Sequence, residues 1–135
     1  MIKYILYIPL FLLLLIFYNV MVLLFGINFG TDAPSLFGVT LPSGAVWELT
    51  WGYLFVLFGV GISYLEILKS TKTGTLTVVE HGLSMVVFII FLLEFVLVKG
   101  AGTSTFLVLT LMSLLDVIAG FTISVVAARR DISMG

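Results

Sequence analysis

Residues 77–98 read TVVEHGLSMVVFIIFLLEFVLV. The run is long enough to cross a bilayer, because roughly 20 mainly apolar residues span about 30 Å of hydrocarbon as a helix. It nevertheless contains Glu80, His81 and Glu94. An ionised side chain at the bilayer centre costs at least ~2.5–3.5 kcal/mol, so these groups are expected to face protein rather than lipid. The stretch predicts a membrane helix with one polar face turned inward.

The whole chain has the same character. Of its 135 residues, 61% are hydrophobic and 10% charged, with a mean hydropathy of +1.32. Soluble domains are nearer about half apolar and a quarter charged, and one this small could not cover so much apolar surface. The expected fold class is all-α integral membrane: a single four-helix transmembrane domain over residues 1–135. The net charge of −1 points to no nucleic-acid partner. Cysteine is absent, which excludes disulfides, thiol chemistry and thiolate metal sites.

Four apolar runs are predicted to span: Ile2 to Phe25, about Thr50 to Leu68, about Leu76 to Val98, and about Thr105 to Ala128. Backbone polar groups must be paired in lipid, so each should be a helix. Continuous apolar runs exclude a β-barrel, whose strands alternate. The first run has Lys3 in the position of a signal-peptide basic region, but its apolar stretch is long and lacks a small-residue cleavage site; it reads as an uncleaved membrane helix. Lys3, Lys69, Lys72, Arg129 and Arg130 fall on one side of this four-span topology, and Lys99 alone on the other. By the positive-inside rule both termini should be cytoplasmic.

The segment from Gly26 to Leu49 is the only substantial extracytoplasmic loop. Its VTLPSGAVWELTW stretch places two short strand-like runs around Pro42-Ser43-Gly44, which is turn chemistry. A β-hairpin between helices 1 and 2 is expected, with Trp47 and Trp51 suited to an interfacial aromatic belt. The hairpin fits two roles: a docking surface or lid, and a lipid-facing cap over the helix ends.

Successive helical residues rotate by about 100°, so faces can be assigned. On the third helix Glu80, Ser84, Val87, Phe91 and Glu94 share a side, with His81 on the neighbouring ridge. On the second, Gly52, Gly59, Ser63 and Glu66 fall together; on the fourth, Met112, Asp116, Gly120 and Ser124. Small residues at such spacing let helices approach closely, so Gly52, Gly59, Ser63, Gly120 and Ser124 are the predicted packing positions. The first helix looks apolar all round and is expected to be the most lipid-exposed.

The acids differ in depth. Glu66 and Glu80 lie near the cytoplasmic ends, within range of interfacial water or of Lys69 and Lys72. Glu94 lies near the outer end, close to Lys99. Asp116 lies on the order of 18 Å deep at roughly 1.5 Å per residue, with no basic residue at matching depth in the sequence. Desolvation disfavours its charged form, so it should be protonated, hydrogen-bonded or holding a cation. Asp116, Glu66, Glu80, His81 and Glu94 are therefore the ion or proton candidates. His81 is expected to pair with Glu66 or Glu80. A lone histidine without cysteine or a paired E-x-x-H gives no metal or haem set within one chain, and no cofactor is expected. No nucleophile–base–orienter set or phosphate-cradling motif is legible, so an enzyme is not expected.

The stretches EILKSTKTG, EHGLSMVVFI and LLDVIAGFTISVVAARRD resemble those of small, uncharacterised bacterial four-helix inner-membrane proteins. The resemblance covers Trp47 to the C-terminus. It implies a multi-pass location in the bacterial inner membrane and carries no activity. Three functions remain: a structural or accessory subunit packing against a larger membrane complex or itself, a small oligomeric proton or cation transporter or channel using buried carboxylates, and a metal-linked protein resting on His81. The lack of paired helix interruptions favours the first.

Overall fold

The long apolar runs become helices, and the turn residues between them become caps. In a computed structural model, which describes residues 7–72 and 74–134, helix α1 spans Leu10–Leu23. Strands β1 (Phe37–Thr40) and β2 (Val46–Leu49) follow, then α2 (Trp51–Ser70) and α3 (Thr75–Leu97). A single 3₁₀ turn (Lys99–Ala101) leads into α4 (Ser104–Met134). Helices α2, α3 and α4 are long and apolar enough to cross a membrane; α1 is a shorter apolar helix.

That shortness corrects the expectation of a span from Ile2 to Phe25. Residues 1–6 lie outside the described residues. Tyr7 to Pro9 are not helical, and Pro9 sits extended at the N-cap with φ −60° and ψ 125°. Proline has no N–H and pushes the residue before it out of the α region, so helix begins only at Leu10. Its 14 residues make about 21 Å at roughly 1.5 Å per residue. It ends at Leu23, and the chain turns away at Gly26, whose φ of +62° suits glycine, with Ile27 N donating back to Met21 O at 3.0 Å.

Helix α1 is also not the lipid-exposed helix. Phe11, Leu14, Leu15, Tyr18 and Met21 form a buried face. Tyr18 stacks on Phe29 from the following loop and packs edge-on to Phe55 and Phe106, while Phe91 contacts Phe11 and Phe106. Phe55, Phe91 and Phe106 are wholly inaccessible. The Tyr18 hydroxyl donates to Gly100 O at 3.2 Å or to Thr103 Oγ1 at 3.0 Å.

Helix α4 is the hub, packing on both α2 and α3. It runs parallel to α2: Gly52 meets Thr105, and Gly59 meets Leu109 and Met112. A Cβ at Gly59 would lie 2.8 Å from Met112 Sδ, and one at Gly120 would lie 3.0 Å from the His81 ring. Gly61, by contrast, faces open space. Thr50 caps α2 by accepting from Tyr53 N. The β-hairpin is formed: β1 and β2 pair antiparallel, Val39 opposite Trp47, and the turn is closed by Gly44 at φ +86°.

Bulk at the glycine contacts should therefore separate helices. Gly59→Leu and Gly120→Leu should each lower the melting temperature in detergent by several degrees. Leu13→Ala, at a position 54% exposed, should shift it little. Equal shifts from all three, read by circular dichroism, would refute this packing.

Candidate functional site

Polar side chains from α2, α3 and α4 and backbone groups at the start of α1 meet where α2 ends and α3 begins. Glu66, Lys69 and Ser70 share one face of the last turn of α2, because residues three and four apart are neighbours on a helix. Glu80 and His81 come from the second turn of α3. Asp116, Gly120 and Ser124 come from α4, and the chain entering α1 closes the group. Glu66, Ser70, Glu80, His81 and Asp116 are all buried.

Lys69 is the centre. Its Nζ lies 3.2 Å from Glu66 Oε1 and 2.6 Å from Glu80 Oε1. It also donates to Ile8 O at 3.2 Å. Glu66 Oε1 in turn accepts from Leu10 N at 2.6 Å. The start of α1 is thus held by an ion pair from another helix, which supplies an acceptor for its first amide and a donor for the carbonyl before Pro9. Glu80 Oε1 accepts no hydrogen bond among the described residues; its contact with Lys69 is electrostatic. Glu80 and Lys69 border a cavity of about 350 Å³ that is also lined by Tyr7, Lys72 and the first residues of α3.

His81 belongs to a separate chain of hydrogen bonds. Ser124 Oγ donates to Ser70 O at 3.1 Å, which uses its one proton. It must therefore accept from His81 Nε2, 2.6 Å away, so that nitrogen carries hydrogen. The ring lies 5.2 Å from that of Phe121 and over Gly120, the position where a side chain would collide with it. The expected pairing of His81 with Glu66 or Glu80 is replaced by this link from α3 through α4 to the end of α2.

Asp116 makes no hydrogen bond with the described residues, but it feels the charges of Glu66, Lys69 and Glu80. The Lys69 side chain is drawn into the bundle, toward Glu66 and Glu80. Glu94 stands apart. Both its oxygens accept from Asn19 Nδ2, at 2.9 and 3.1 Å, and its expected partner Lys99 makes no ion pair with it. Gly52, Gly59 and Gly120 are buried at helix contacts. Ser63 and Ser124 are half-buried, Ser63 donating to Gly59 O within its own helix.

Among the described residues, no three of His, Asp and Glu converge as metal ligands. The arrangement is a charge network in which one ammonium bridges two carboxylates and, with Glu66, satisfies backbone groups at the start of α1. The expected reach of Glu66 and Glu80 to Lys69 is found; that Lys69 also holds the start of α1 was not foreseen. Sequence reasoning also missed Ser70, Thr77, Thr110 and Ser113, all buried, and Asn19.

Comparison with protein-family models, curated proteins and solved structures returned no match for this chain. The resemblance drawn from its sequence reduces to a small helical protein with three long apolar helices.

Removing one partner of a buried ion pair costs roughly 3–5 kcal/mol, because the other charge is left uncompensated. Lys69→Met should approach that loss, tempered by the partial exposure of Lys69, measured by denaturation in mixed micelles. Adding Glu80→Gln to Lys69→Met should recover part of it. If the double variant is as unstable as the sum of the two single variants, Lys69 and Glu80 are not coupled.

Proposed function

We propose that this chain is a structural or accessory subunit of a bacterial inner membrane, crossing it with both termini cytoplasmic and packing against a larger membrane complex or against itself. One observation carries the reading: the bonds of Lys69 go to Glu66, Glu80 and Ile8 O. Glu66, Lys69 and Glu80 are held by one another and by the start of α1. On the hairpin side of this level Phe55, Phe91 and Phe106 fill the bundle without residual exposure. The segregation of Lys69, Lys72, Arg129 and Arg130 to the end opposite the hairpin supports the orientation. The extended surface of exposed Leu, Val, Ile and Phe supports contact with lipid and with other helices.

Asp116 favours a second reading, proton or cation transport by an oligomer. It is buried, acidic and free of hydrogen bonds to the described residues, beside a network holding two further carboxylates.

Two experiments separate these. A Ser43→Cys variant should react with an impermeant thiol reagent in intact cells, and Ser133→Cys should not; the reverse labelling overturns the orientation. Asp116→Asn keeps the side-chain shape and removes the charge. The accessory reading expects that variant to fold without loss of any ion flux in proteoliposomes. Wild-type flux of protons or cations that vanishes in a folded, fully assembled Asp116→Asn variant would establish the transport reading instead.

A further inference from the structure

The β-hairpin has two unlike faces. Residues opposite each other in an antiparallel pair share a face, as do residues two apart on a strand. The register of Phe37 with Leu49 and Val39 with Trp47 therefore puts these four apolar side chains on one side. Gly38, Glu48, Thr40 and Val46 occupy the other. The apolar face is uncovered: Phe37 is 56% exposed, Trp47 44% and Val39 39%. A lone two-stranded hairpin is marginal in water, and this one exposes its apolar side to whatever surrounds it.

Its position selects the occupant. Only Thr50 separates β2 from the first residue of α2, Trp51, so the hairpin is tied to the level at which a membrane-crossing helix enters the bilayer. Strands of four residues reach about 13 Å at roughly 3.3 Å per residue, comparable with the depth of the headgroup layer and the adjoining acyl boundary. The exposed apolar side of α2 starts at once with Tyr53 and continues through Leu57 and Phe58, so exposed apolar side chains flank Thr50 on both sides. Tryptophan at such a level is the residue that interfaces enrich. The one charge on the hairpin, Glu48, lies on the opposite face.

We propose that the hairpin lies in the outer-leaflet interface with Phe37, Val39, Trp47 and Leu49 turned into the lipid, fixing the depth and rotation of α2. The inference rests on the membrane reading above. With no basic group on the inserted face, apolar area holds it, and added salt should not release it.

The test uses the full chain in phosphatidylcholine vesicles whose acyl chains are brominated near the headgroup. In a Trp51→Phe variant, brominated lipid should remove most of the remaining Trp47 emission. Aqueous iodide should have little effect, at low or high salt. Strong iodide quenching overturns the proposal. So does protection from both quenchers, which would mean that protein covers the face. Because the chain has no cysteine, single substitutions give a second route. Val39→Cys and Leu57→Cys should react slowly with a water-soluble thiol reagent, and Thr40→Cys rapidly. Rapid reaction of Val39→Cys with Leu57→Cys still protected defeats the hairpin proposal alone; rapid reaction of all three defeats the membrane reading as well.

Discussion

The contact on which the rest of the bundle depends is that of the Lys69 ammonium with the carboxylates of Glu66 and Glu80. In water such a pair is worth little. Within a bundle surrounded by lipid, each partner alone carries a desolvation cost, and pairing with further hydrogen bonds is what makes either tolerable. Here the further bonds go to backbone. Leu10 N and Ile8 O flank the proline that precedes α1 in an otherwise apolar region, where unpaired amides and carbonyls cost several kcal/mol each. Glu66 and Lys69 satisfy both.

From that constraint the placement of the other elements follows. Beside the start of α1 lies the cavity lined by Tyr7, Lys69, Lys72 and Glu80. The upper part of α1 can then lean across α2 and α3, where Phe11 and Tyr18 complete an aromatic layer with Phe55, Phe91 and Phe106. Near its far end Asn19 meets Glu94. Each end of α1 is thus tied by a carboxylate from a long helix: Glu66 of α2 at its start, Glu94 of α3 toward its finish. The small residues of α2 and α4 have the complementary task. Gly52, Gly59 and Gly120 let the parallel pair close up and admit the His81 ring.

Three long helices and the hairpin were legible because their signals are local. An apolar run of sufficient length, a basic loop and a Pro-Ser-Gly turn each act within a few residues. The inward side of α3 was legible too, since rotation along one helix depends only on spacing. What stayed hidden was the register between helices. Nothing in the spacing of His81 says that Ser124, 43 positions on, stands beside it rather than Glu66, and nothing near Glu94 points to Asn19 in preference to Lys99. The break at Pro9 was visible in the sequence but was overridden by the apolar run around it. Proline does occur within membrane helices when neighbours satisfy the freed groups; here the helix begins after Pro9, and Glu66 and Lys69 satisfy the groups on either side of it. The depth of Asp116 was read from backbone counting, which cannot see that a lysine near a helix end bends into the bundle.

Asp116 gains its meaning from this geometry. It touches none of the groups that cap α1, yet the charges acting on it are those same groups, Glu66, Lys69 and Glu80. The coupling is mutual, because an electrostatic interaction between two sites changes both by the same free energy. Lys69 is shared between two carboxylates on different helices, and Glu80 Oε1 accepts no hydrogen bond among the described residues. Lys69 joins α2 to α3 and holds the start of α1, so the one helix whose start depends on charge is anchored by the same groups whose charges act on Asp116.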